Sequence, residues 1–164
     1  MKFLLYSTFI LLLAPCNASK KAAATDADAK AGKSKTIVIT YERTVCFGKC
    51  PAFTMTISGE TMKAVYKGDS NVEKLGTYEK SISESELTKL SDAFEKYKFF
   101  DMKDEYTSSI TDVPSRYVGY TIDGKSKKIK DRYNAPAELK EIEKLLDAVA
   151  DSEGWEKVKD KDPE

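Results

Sequence analysis

The sequence contains no histidine, and its 164 residues include only three cysteines, five prolines and one tryptophan. The missing imidazole has the widest consequences. It removes the commonest general base, the Ser-His-Asp and Cys-His constellations, and the commonest transition-metal ligand at once. Charge of one sign is missing too: 27 Lys and Arg stand against 27 Asp and Glu, so no global field steers nucleic acid or an acidic membrane to the chain. There is no phosphate-cradling Gly-rich loop, no nucleophile elbow, and no acid pair that spacing alone places on one face. The sequence therefore calls for no cofactor and leans away from an enzyme. A spanning helix is also lacking. The longest apolar run, Phe3 to Leu13 interrupted by Ser7 and Thr8, is about half of the ~20 residues that crossing requires.

That run, with Lys2 ahead of it, reads as an export signal, and two processing readings stay open. Cys16-Asn17-Ala18 puts small residues at the −3 and −1 positions of ordinary signal-peptidase cleavage, which would release a chain beginning at Ser19. Leu13-Ala14-Pro15-Cys16 resembles a bacterial lipobox, with Pro15 as its departure, and in that reading Cys16 becomes the lipidated first residue. Export to the periplasm, to the outer membrane as an anchored lipoprotein, or out of the cell follows. Residues 1–15 are then the signal and 16–35, without a large apolar residue, a flexible polar tether. Residues 36–155 have the size of one domain, and 156–164 read as a charged, frayed tail.

Within the domain, Thr36 to Thr44 is β-branched and aromatic, with Ile37, Ile39 and Tyr41 on one face, which predicts a strand. Ala52 to Ser58 alternates Phe53, Met55 and Ile57 against threonine and serine, and Met62 to Tyr66 is expected to return as its partner. A further strand is expected between Val72 and Tyr78. Ser83 and Glu86 form a capping box ahead of Leu87, Leu90, Ala93, Phe94 and Tyr97 at helical spacing. Phe99-Phe100 is expected to seal that helix to the core, and 101–114 to form a solvated loop. Asp123-Gly124 is the signal of a type I′ hairpin between 116–122 and 125–133. Lys125, Lys127, Lys128, Lys130 and Arg132 read as the protected edge of a sheet. The alternative is a patch for phosphate, nucleic acid or anionic lipid, although no aromatic ladder interleaves these cations. Asn134 is expected to cap a last helix with Pro136 in its first turn and Leu139, Ile142, Leu145, Leu146 and Val149 on its apolar stripe. Strands, helix, hairpin, helix in that order predict an α+β fold: a two-layer sandwich, mostly antiparallel sheet, with both helices packed on one face.

The sharpest chemistry is Cys46-Phe47-Gly48-Lys49-Cys50-Pro51. Either processing route withdraws Cys16 from thiol chemistry, leaving an even pair that an oxidising compartment would join. Joining them requires a tight turn, since an extended chain would hold the α-carbons about 13 Å apart. The leading reading is a structural disulfide. A redox pair, with Lys49 lowering a thiol pKa, and a metal site are the alternatives. Thr44 to Pro51 is similar to the T-x-C-x-x-x-C-P element of copper-delivery proteins of the thioredoxin-like Sco family, whose distant histidine ligand has no counterpart here. Two thiolates could still hold Cu(I).

A longer series of motifs resembles another family, the exported bacterial domain of unknown function 6438. It comprises Arg43 to Pro51, Phe53-x-Met55-x-Ile57, Tyr66-x-Gly68, Phe99-Phe100, Thr111-Asp112-Val113-Pro114, Asp123-Gly124, Ala135-Pro136-x-x-Leu139 and Trp155. The resemblance spans about residues 36 to 155 and implies no activity, cofactor or catalytic residue. The reading is thus a non-enzymatic binding or structural module of the cell envelope with an envelope partner. Thiol redox or Cu(I) handling by Cys46 and Cys50, and anion or nucleic-acid binding by Lys125 to Arg132, are the competitors.

Overall fold

Ile37, Ile39 and Tyr41 alternate toward one side of the first strand, and burying them on both flanks makes that strand the middle of the sheet. In a computed structural model of the chain, residues 36–110 and 112–159 are described, all within one compact unit. The leader, Cys16, the tether over 16–35, Thr111 and 160–164 lie outside the described residues. Eight strands are formed in chain order: β1 (Ile37–Arg43), β2 (Ala52–Ser58), β3 (Lys63–Ser70), β4 (Gly76–Ser81), β5 (Glu105–Tyr106), β6 (Arg116–Ile122), β7 (Lys125–Asp131) and β8 (Glu156–Lys157). They join in one sheet of order β5-β7-β6-β1-β2-β3-β4-β8. All pairings are antiparallel except the parallel contact of β5 with β7. With helices α1 (Glu84–Lys96) and α2 (Ala137–Asp151), the fold is α+β with a mixed, mostly antiparallel sheet.

Register aligns the apolar set of each central strand. Tyr41 lies between Met55 and Val118, and Ile39 between Ile57 and Tyr120, and all six are at most 1 % exposed. Helix α1 meets this side through the Ser91 hydroxyl, 2.8 Å from the Tyr120 hydroxyl, and through Phe94, stacked on the Tyr120 ring at 4.3 Å. Helix α2 meets it through Asp147, which accepts from the Tyr41 hydroxyl at 2.8 Å. The capping box forms as expected: Glu86 N–H donates to Ser83 Oγ and the Ser83 N–H donates to the Glu86 carboxylate. Phe99 is fully buried in a 3-10 turn that places its ring edge-on to Phe94.

Several expectations are corrected. Met62 has φ 51° and belongs to the turn, so β3 starts at Lys63 and runs on to Ser70. Residues Val72 to Leu75 are the β3–β4 connection rather than the start of a strand, because Asn71 at φ 54° and Gly76 at φ 90° turn the chain. That connection folds back until the Lys74 carbonyl oxygen lies 1.7 Å from where a Cβ on Gly68 would be. Asn134 does not cap α2. Its φ of 57° makes it part of the bend, and the cap position is taken by Pro136, whose carbonyl accepts from the Leu139 N–H. Glu156–Lys157, expected in the frayed tail, pair with β4, where Trp155 packs on Tyr66 at 5.6 Å and pins the segment. The lysine-rich β7 keeps its expected edge position over 125–129 and is covered only at its end. The two residues of β5 cover its last turn of pairing, because the Lys130 and Arg132 N–H groups donate to the Asp104 and Tyr106 carbonyls.

Candidate functional site

Strand directions gather the loops 44–51, 71–75, 107–110 with 112–115, and 132–136 at one end of the sheet, where β1, β3, β5 and β7 finish and β2, β4 and β6 begin. At the centre of that end Cys46 and Cys50 are bonded, with α-carbons 5.6 Å apart. The turn that allows this is a three-residue one, closed by the Gly48 N–H on the Cys46 carbonyl at 2.8 Å. Gly48 is not forced by space: a Cβ there would have the Cys46 sulfur at 3.8 Å as its nearest neighbour. The base of the loop is fastened on both flanks. Thr44 N–H donates to the Ser115 carbonyl (3.0 Å), Ser115 N–H donates to Thr44 Oγ1 (2.9 Å), and Asn71 Nδ2 donates to the Cys50 carbonyl (3.2 Å).

The tip of this ring is apolar. Phe47 is 93 % exposed and Val45 59 %. Leu75, Ile110 and Tyr133, the other large hydrophobic side chains exposed among the described residues, stand in the neighbouring loops of the same end. Two shallow cavities of about 430–440 Å³ flank the loop and share Arg43 and Phe53 in their walls. One opens past Thr54, Lys67 and Asp69, the other past Tyr66, Asn71, Lys74 and Asp151. The Arg43 guanidinium lies over the Phe53 ring at 5.9 Å while donating to Asp147 at 3.1 Å, and Lys74 covers the Tyr66 ring at 5.6 Å. Burial, with Asp151 nearby, pushes the Tyr66 phenol up to about 12.

Beneath the loops, α2 is held to the sheet by a row of charges. Arg116 Nη1 and Lys140 Nζ both donate to Glu143 Oε2 at 3.2 Å, and Lys140 Nζ also bonds Asp131 Oδ2. Asp131 and Glu143 are each 2 % exposed. Burial, then the nearby Asp131 charge and a hydrogen bond to its carboxyl, raises the Glu143 pKa. Burial works against the Arg116 charge, but Tyr41, Glu143, Asp147 and Asp131 around it outweigh that and hold its pKa above the usual value. Desolvation, with Asp147 beside it, holds the Tyr41 phenol far above its ordinary range. Sequence reasoning missed this cluster. The available signal was Glu143 itself, four residues after Leu139 and three before Leu146, a carboxyl within the apolar stripe of α2.

The five cations of the Lys125 to Arg132 segment do not share one open patch. Lys125 sits over the Phe100 ring at 4.0 Å, and Lys127 donates to the Phe100 and Met102 carbonyls and pairs with Asp104 at 2.9 Å. On the opposite face of β7, Lys128 pairs with Glu42 at 3.3 Å over the Tyr117 ring, and Lys130 with Glu105 at 2.8 Å. Arg132 follows the strand, bonded through its N–H to Tyr106. Among the described residues no helix is long and apolar enough to cross a membrane. No curated protein matches the chain. Residues 37–150 match the family described as Domain of unknown function (DUF6438), and the chain belongs to that family.

Proposed function

We propose that this chain is an exported, non-enzymatic binding module of the cell envelope that engages its partner with the loop end of the sheet, centred on the Cys46–Cys50 ring. One observation carries the reading: every large hydrophobic side chain exposed among the described residues lies in the loops of that one end, with Phe47 almost wholly in solvent. Scattered exposed apolar residues are ordinary, but their concentration at one end marks an interaction site. Burying a phenylalanine contributes about 1.5–3 kcal/mol, and a ring clamped at Thr44 and Cys50 has little freedom left to lose on binding. In this reading the disulfide is structural, and the two helices form a second layer that keeps the sheet rigid behind the loops. The buried carboxylates support a non-catalytic role, because groups 2 % exposed do not meet a substrate. Processing at Cys16 or after Ala18 would tether the domain or free it, and intact mass of the protein from a bacterial host distinguishes the two.

The test is site-directed photo-crosslinking in living cells, with the photoreactive residue at Phe47 or, as control, at Glu60 in the turn at the other end of the sheet. Position 47 should give a discrete adduct that weakens with Val45→Ser, and position 60 should not. Equal labelling from both positions, or none from 47, refutes the proposal. The half-buried Cys46 and Cys50, with Lys49 between them, favour thiol chemistry as the second reading. Turnover of a disulfide substrate, or one Cu(I) bound per chain, abolished by Cys46→Ser would establish it in place of the first. Affinity for anions or nucleic acid that falls steeply with salt, and is lost in Lys128→Glu with Lys130→Glu, would instead assign function to β7.

A further inference from the structure

We propose that Glu143 carries a proton in the buried row it forms with Asp131, and that this buried proton is a latch fastening α2 to β6 and β7, released as Glu143 ionises. The geometry shows where the proton belongs. Both cations that reach the pair bind the same side of it: Lys140 contacts Asp131 Oδ2 and Glu143 Oε2, and Arg116 contacts Glu143 Oε2. The remaining oxygens, Asp131 Oδ1 and Glu143 Oε1, are buried with no hydrogen-bond partner. The two carboxyls meet at the Lys140 ammonium, which contacts one oxygen of each. Two ionised carboxylates offer only acceptors, so neither orphaned oxygen can satisfy the other. A proton on Glu143 turns one of those acceptors into a donor and removes one of two like buried charges.

The surrounding charges do not remove the need for it. From β1, Tyr41 and Arg43 face this row, but both are engaged with Asp147 of α2. From β6 comes Arg116, whose side chain is 32 % exposed, and from α2 itself comes Lys140, 42 % exposed. Water screens these cations, whereas the two carboxyls see almost none. The Glu143 pKa, pushed up to about 7 by burial and by Asp131, is consistent with a carboxyl that stays protonated well above its usual range. The sign follows from proton counting. A carboxyl whose pKa is higher in the folded than in the unfolded chain adds stability that is complete below the unfolded value, about 4.3, and is lost as pH rises through the folded value.

The experiment uses the full processed chain. Carboxyl carbons of Asp and Glu are followed by 13C NMR from pH 3 to 9, and the unfolding equilibrium constant is measured by urea titration at the same pH values. The Glu143 carboxyl should titrate near 7, and the unfolding constant should rise with pH between about 4.3 and 7, by up to tenfold per unit. Glu143→Gln supplies a permanent amide donor to Asp131, so it should remove that rise and protect the α2 amides from hydrogen exchange equally at pH 6 and pH 8. Titration of Glu143 below pH 5 in the unsubstituted chain overturns the proposal even if no variant folds. So does a pH dependence that survives in Glu143→Gln.

Discussion

Replacing Cys46 and Cys50 together by serine opens a covalent ring of five residues, since the bonded positions are four apart. Loop-closure entropy for so short a ring is about 7 cal/mol/K, which stabilises the folded chain by about 2 kcal/mol at 25 °C. The rest of the architecture does not lean on the bond. The hydrogen bonds between Thr44 and Ser115 and from Asn71 to the Cys50 carbonyl remain. The core strand resumes only at Ala52, with Phe53 5 % and Met55 1 % exposed. A domain of roughly 120 residues has an unfolding entropy near 250 cal/mol/K, so the melting temperature should fall by about 8 °C while unfolding stays cooperative. The assay is thermal and urea unfolding followed by circular dichroism, with and without reductant, on the native chain and the double-serine variant. Midpoint and melting temperature should drop at an unchanged urea slope. The reduced native chain should match the variant, and crosslinking from position 47 should weaken although the domain is folded. A loss above about 4 kcal/mol, a changed slope, or no loss at all would refute the view of this disulfide as a local clamp on a surface loop.

Gly68→Ala should displace the 71–75 loop, because its new Cβ would fall 1.7 Å from the Lys74 carbonyl oxygen; amide shifts throughout 67–76 and a lower melting temperature would show it. Gly48→Ala, with its nearest neighbour at 3.8 Å, should change stability by less than about 0.5 kcal/mol, and a larger loss would mean that the ring itself needs glycine. Ser83→Ala removes both the acceptor for the Glu86 N–H and the hydroxyl that donates to the Glu86 carboxylate. It should cost about 1 kcal/mol, read by urea unfolding, and should fray the first turn of α1 in hydrogen exchange. Leu139→Ala, at a fully buried position of α2, should cost about 2–5 kcal/mol, and a smaller loss would mean that α2 is held mainly by its charged row.

What the sequence determined by itself is what depends on near neighbours. The alternation in 52–58 matches β2 residue for residue, because side chains two apart share a strand face. The capping box needs only Ser83 and Glu86, one turn apart, and the Asp123-Gly124 hairpin needs two residues that accept φ of 49° and 84°. The disulfide pair was legible as well, since Cys46 and Cys50 are four apart with Gly48 between them, and they are bonded. Tertiary structure decided the rest, through contacts with no local signature. Asp147 finds the Tyr41 hydroxyl across 106 residues, and Arg116 finds Glu143 across 27. Asp131 ends a strand that reads as basic and exposed, and it is the packing of α2 across β6 and β7 that turns it into a buried carboxyl. The lysines of β7 read in the sequence as a protected edge, with one anion patch as the alternative, because they crowd into 125–130. Period two sends Lys125 and Lys127 to one face and Lys128 and Lys130 to the other, where each meets a different partner. Phe47, Leu75, Ile110 and Tyr133 lie far apart along the chain, and only the antiparallel order of the sheet brings their loops to one end.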